Sequence, residues 1–197
     1  MYRIVSPTAI LGYGFPEASF NKAMQGNIDL IAVDAGSMDA GPYYLGAGQP
    51  YVGKAAIRRD LQLLLKAALA KNCRLIIGSA GFSGGDTQLR EAVALIRELL
   101  EDLGPDSVRL AVIPSGVTAK TLKAAKSDLI ALGGMPELTD AVLEESEVVG
   151  QMGIEPIVTA IQEDAQIIVC GRAYDPALFA AEAIHQGYPE GICYHAA

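Results

Sequence analysis

The apolar residues of this chain fall in short unbroken runs and do not alternate with polar ones. The runs are Ile4-Val5, Leu30-Ile31-Ala32-Val33, Leu75-Ile76-Ile77, Leu110-Ala111-Val112-Ile113, Leu129-Ile130-Ala131-Leu132 and Ile167-Ile168-Val169-Cys170. A strand that is apolar on every residue must be covered on both faces, the condition of a parallel sheet between two helical layers. The stretches between the runs have helical period. From 54 to 71, Ile57, Leu61, Leu64, Leu65 and Leu69 share one face. From 87 to 103, Leu89, Val93, Ile96 and Leu100 do the same, with Asp86 placed to cap the start. Shorter helices are expected over 117–125, 138–149, 156–163 and 176–185, with Pro156 in a first turn. The alternation predicts an α/β fold of Rossmann-like layering, a largely parallel sheet with helices on both faces joined by right-handed crossovers.

The 197 residues suit a single domain, and no internal repeat or flexible linker divides them. Hydrophobic residues make up 51% and charged residues 19%, enough for a well-buried core. The net charge of −8 has no basic cluster to break it, which argues against nucleic acid and anionic membranes as partners. Cys73, Cys170 and Cys193 are odd in number and without C-x-x-C spacing, so buried free thiols in a reducing compartment are expected. The start lacks the apolar core of a signal peptide, and no run is long enough to span a bilayer. A cytoplasmic protein is the expectation. The end, Tyr194-His195-Ala196-Ala197, has no polar tail and reads as a chain that continues.

In an open parallel sheet, ligands bind beyond the C-terminal strand ends. The loops there are rich in small residues. Gly78-Ser79-Ala80-Gly81-Phe82-Ser83-Gly84-Gly85 leads into a helix start, where bare amides would suit a phosphate or carboxylate. The competing account is a tight turn that needs glycine for its dihedrals. No G-x-x-x-x-G-K-[ST] is present, and Gly12-Tyr13-Gly14 meets Glu17 where a dinucleotide fingerprint needs glycine, so there is no NAD motif. Gly81-Phe82-Ser83-Gly84-Gly85 fits G-x-S-x-G, and Ser83, Asp175 and His185 or His195 fit the order of a hydrolase triad. Any loop this rich in Gly and Ser matches that pattern easily, so Ser83 is expected not to be a nucleophile.

Asp34, Asp39 and Asp175 follow strands and are the candidates for acid–base work, while Asp34 and Asp39 are the pair that would hold Mg²⁺ if an ion is used. As isolated residues, Asp86 and Asp175 read equally well as helix caps. Arg172 follows the last strand by two residues and can offer a planar fork to an anion. Lys120 is a weaker cation. Ser37, Gly78, Ser79, Gly81, Gly84 and Gly85 complete the candidate anion site. The loop over 35–53 is long, and Tyr43, Tyr44 and Tyr51 argue for order, with Tyr43 and Tyr44 placed to close over a ligand.

The same loops carry a resemblance. Ser6-Pro7-Thr8-Ala9, Leu11-Gly12-Tyr13-Gly14-Phe15-Pro16, Val33-Asp34-Ala35-Gly36-Ser37, Gly41-Pro42-Tyr43-Tyr44-Leu45-Gly46, Ile77-Gly78-Ser79-Ala80-Gly81 and Gly171-Arg172-Ala173-Tyr174-Asp175-Pro176-Ala177 look like the acyclic terpene utilisation (AtuA-like) family. The resemblance covers the whole chain. It implies a metabolic enzyme or enzyme subunit of terpene catabolism, and family chains about twice as long, of which this would be the N-terminal portion. The expectation is a lyase or hydratase acting on a small carboxylate or acyl-CoA thioester. It would work as a homo-oligomer, with room for a small partner subunit. The alternatives are a non-catalytic ligand-binding or assembly subunit and a serine hydrolase using Ser83.

Overall fold

The computed structural model describes residues 2–105, 107–130, 133–134 and 138–197. Five parallel strands, β1 (Ile4–Val5), β2 (Leu30–Asp34), β3 (Arg74–Gly78), β4 (Leu110–Ile113) and β5 (Ile167–Cys170), form one sheet in the order β1-β2-β3-β5-β4. The helices are α1 (Glu17–Ala23), α2 (Tyr43–Gly46), α3 (Lys54–Lys71), α4 (Asp86–Leu103), α5 (Ala119–Ala124), α6 (Asp140–Glu145), α7 (Glu155–Gln162), α8 (Asp175–His185) and α9 (Glu190–Ala196). The chain belongs to the α/β class, with helices on both faces of the sheet.

Strand alternation divides the core in two. Ile31, Val33, Leu75, Ile77, Ile167 and Val169 pack under α1, α3 and α4. Leu30, Ala32, Ile76, Ile168 and Cys170 pack under α7, α8 and α9. The chain lays β1, β2 and β3 side by side, passes over one position to place β4 at the edge, and returns to insert β5. The helix after β3 lies on one face and the helix after β5 on the other. Adjacent strands β3 and β5 therefore send their helices to opposite faces, which makes their C-terminal ends the switch point at which such folds bind ligands.

The boundaries show where local chemistry decides. The start and end of α3 fall where the apolar period places them, and Asn72 closes it in the left-handed conformation at φ 48°. Neither Asp86 nor Asp175 caps a helix end with its side chain; Gly85 and Tyr174 hold the cap positions. The helix expected over 138–149 stops at Glu145. Beyond it Val148 and Val149 favour extended backbone, and the segment runs beside the switch-point loops. Gly150 N–H donates to the Ser115 carbonyl at 2.8 Å and Met152 N–H to the Arg172 carbonyl at 3.0 Å. The strand expected at Leu129–Leu132 does not form at Leu129 and Ile130, which are exposed coil, and its other two residues lie outside the described residues. A lone apolar run without a covering helix has nothing to bury against. The short helices α1, α2 and α9 lack a strong apolar stripe and were not legible as helices.

The three cysteines are free, with Cys170 and Cys193 buried and Cys73 partly so. Burial in the sheet pushes the Cys170 thiol up to about 12. Among the described residues no helix is long and apolar enough to cross a membrane.

Candidate functional site

Asp34 is the last residue of β2, and the alternation that buries Leu30 and Ala32 under α8 turns its carboxyl to that same side. It lies opposite Gly78 of β3. Leu178 of α8 fills the space above Gly78, where a Cβ would overlap its methyl groups. The start of α8 is thereby drawn down over the strand ends. The consequence for Asp34 is desolvation: its Oδ1 is buried with no hydrogen-bond partner. Burial first, and the negative charge of Asp175 second, push its carboxyl up to about 7. The Gly36 amide, the Arg172 guanidinium and the Ser79 hydroxyl pull in the other direction and do not overcome these.

Four of the residues singled out in the sequence, Asp34, Ser79, Arg172 and Asp175, thus act on one another at the switch point. Ser79 is fully buried and sits at φ 45°, a left-handed conformation that few serines adopt. Its amide donates to the Gly171 carbonyl at 3.0 Å and its hydroxyl lies 3.4 Å from Arg172 Nη1. Among the described residues Arg172 forms no ion pair, and its side chain is only partly buried. Its backbone is held firmly, because the amide donates to Ser115 Oγ at 2.7 Å while the Ser115 hydroxyl donates to the Gly84 carbonyl at 2.8 Å. Ser115 therefore ties the loops after β3, β4 and β5 together. Sequence reasoning passed over it, since a lone serine after a strand carries no local signal.

The remaining candidates make other contacts. Ser37 Oγ accepts from the Asp39 amide at 3.1 Å in an exposed turn, and Asp39 is not among the charges that act on Asp34. Gly84 and Gly85 are buried against Arg172 and Gln88, where a side chain would overlap its neighbour. Gly81 packs on Gln88 on the α3/α4 side of the sheet. Tyr44 packs edge-on against Phe82, with ring centroids 5.7 Å apart, and Tyr43 packs on Tyr44 while remaining 65% exposed. These rings belong to the α3/α4 side, across the sheet from the Asp34 carboxyl. Asp86 Oδ1 accepts from the Gly116 amide at 3.1 Å.

Ser83 is buried, and its hydroxyl accepts from Gln88 Nε2 at 3.1 Å; the same amide donates to the Tyr44 carbonyl at 2.7 Å. Neither histidine is a hydrogen-bond partner of Ser83. His185 ends α8, roughly 15 Å from the sheet edge at which that helix starts. The Gly12-Tyr13-Gly14 turn has a structural role too: fully buried Asp60 accepts from the Gly12 and Gly14 amides at 2.7 and 2.9 Å.

The donor set also bears on a cation. Among the described residues no three His, Cys, Asp or Glu side chains gather as a metal site would require. The positive charge beside Asp34 comes from Arg172. The second carboxylate that acts on Asp34 is Asp175, and Asp39, the residue expected to share an ion with Asp34, is not among the charges that act on it.

Comparison with known proteins adds one finding. No curated protein and no solved structure matches the chain. The model of the family described as acyclic terpene utilisation family protein AtuA matches residues 19–188. That span runs from α1 past the end of α8 and takes in Asp34, Ser79, Arg172 and Asp175, so the chain belongs to the acyclic terpene utilisation family.

Proposed function

We propose that this protein is a catabolic lyase or hydratase acting on a small carboxylate or acyl-CoA thioester, with Asp34 as its proton-transfer group. The observation that carries the reading is a carboxyl at the switch point whose Oδ1 is buried without a hydrogen-bond partner, beside a guanidinium that has no ion pair among the described residues. A base poised near the working pH takes and returns a proton with least cost. Arg172 would meet the carboxylate or thioester oxygen as it gains charge, with the buried Ser79 hydroxyl beside its guanidinium. Asp34 would then remove a proton from the carbon beside the carbonyl. The same proton, passed to a hydroxyl on the next carbon, lets that group leave as water and balances the step. Read in reverse, the sequence hydrates a conjugated double bond. Asp175 adds through its charge to the basicity that burial gives Asp34. Family membership supports a role in acyclic terpene utilisation, and the −8 charge supports a small-molecule substrate over nucleic acid.

The test is exchange at carbon. Short branched 3-hydroxyacyl and 2-enoyl thioesters are incubated with the protein in D2O and followed by mass spectrometry. Wild type is expected to incorporate deuterium next to the carbonyl, and Asp34→Asn to lose this entirely. Absence of exchange with the wild type across the panel, or equal exchange by the variant, would reject the reading.

A further inference from the structure

A cavity of about 220 Å³ opens between α3 and α4, across the sheet from Asp34. Its floor is Ile77 and Leu61, its walls include Leu95 and Ala92, and its roof is Phe82 stacked on Tyr51 at 4.4 Å. Protein interiors rarely keep voids much larger than a water molecule. Water is a poor occupant, because a buried water needs two to four polar partners. Gln88 is the main polar side chain inside, and its amide nitrogen is already committed to Tyr44 and Ser83. The roof is held at a cost: Phe82 sits at φ 85°, a backbone conformation that bulky side chains seldom adopt and that persists where surrounding structure enforces it. The conformation places the ring over the cavity and the Phe82 carbonyl against Gly36. The mouth, by contrast, is polar and open. Tyr51 is 40% exposed there, and Lys54, Glu91 and Ala94 are exposed beside it. Neither Lys54 nor Glu91 has an ion-pair partner among the described residues.

We infer that this slot is a second binding site, for an aliphatic chain that enters tail first and leaves its polar end between Lys54 and Glu91. An apolar cavity of about 150 Å³ holds a benzene molecule. By that measure the slot accommodates roughly six to nine carbons. Ammonium and carboxylate together complement a head group that both accepts and donates, which favours an alcohol over an acid or an amine. The site is independent of the chemistry proposed at Asp34, since the carboxyl faces α8 and the slot faces α3 and α4.

Octan-1-ol, octanoate and octylamine serve as probes, read by methyl NMR at Ile77, Leu95 and Ile96. Octan-1-ol is expected to give saturable shifts confined to these methyls and to bind more tightly than the two charged probes. Ala92→Leu fills part of the slot and should weaken binding at least tenfold without lowering the Tm. Ala94→Phe narrows the mouth from an exposed position and should weaken it as well, which keeps the test intact if the buried variant folds poorly. Shifts that do not saturate, or binding that neither variant weakens, would overturn the site. A charged probe that binds best would overturn the assignment of the mouth.

Discussion

Replacing Asp34 with Asn should make the protein more stable at neutral pH. The folded state holds the carboxyl at about 7, against 3.8 for the free group. A raised carboxyl binds its proton more tightly folded than unfolded. Its contribution to stability is complete below pH 4, falls by about 1.4 kcal/mol per pH unit as the pH rises to 7, and is flat beyond. The full span is about 4 kcal/mol, and partial exposure of the side chain screens this to about 2–4 kcal/mol. Asparagine keeps the shape and removes the titration. The two proteins should therefore match near pH 4 and diverge steadily up to pH 7, with the variant higher by about 5–15 °C in Tm at pH 8 for a chain of this size. Thermal unfolding of both from pH 4 to 8.5 gives the difference curve, in which the other carboxylates cancel. A difference that stays flat with pH, or a variant less stable than wild type at pH 8, would refute the desolvation of Asp34 and with it the basis for its proposed role.

Three further outcomes follow from contacts already described. Arg172→Lys should leave the unfolding free energy within about 0.5 kcal/mol of wild type, the range of surface changes away from buried pairs, yet abolish most of the Tm rise produced by the thioester panel; a matched fall with and without ligand would make Arg172 structural. Gly36→Ala places a methyl group on the Phe82 carbonyl and should cost about 3 kcal/mol or more by overpacking, measured by urea unfolding; a loss below about 1 kcal/mol would show that the contact relaxes freely. Ser83→Ala removes the hydroxyl that accepts from Gln88 and should cost about 1–2 kcal/mol while retaining deuterium exchange, and a fluorophosphonate probe should not label wild-type Ser83; labelling would return the hydrolase reading.

Much of the fold was legible because it rests on burial. The runs at 30–33, 75–77, 110–113 and 167–170 are apolar on every residue, and only strands covered on both sides need that. The period over 54–71 was legible for the same reason. What burial does not determine was lost: α1 and α9 are too short for a clear stripe, and the extended segment at 146–152 depends on a ladder with loops remote in sequence. At the site, topology alone brought Asp34, Ser79, Arg172 and Asp175 to one edge. Which face of the sheet each side chain occupies was not legible: Tyr44 packs on Phe82, on the α3/α4 side. The glycines of the 78–85 loop were ambiguous between an open anion cradle and close packing, and only the contacts of Gly84 and Gly85 with Arg172 and Gln88 distinguish the two. Asp60 and Ser115 gave no signal, since each is a single polar residue whose partners are loop amides and carbonyls far away in the chain.

The division of β2 into two facing sets restricts which sequence changes its descendants can accept. Leu30, Ala32 and Asp34 face one layer and Ile31 and Val33 the other. Inserting or deleting one residue within this strand would rotate Asp34 toward the aliphatic slot and send Val33 toward Arg172, exchanging the two chambers. Two such changes would restore the parity and one would not. Indels in β2 are admissible only in pairs, so an odd indel between 30 and 34 should be absent from any functional variant recovered by random insertion.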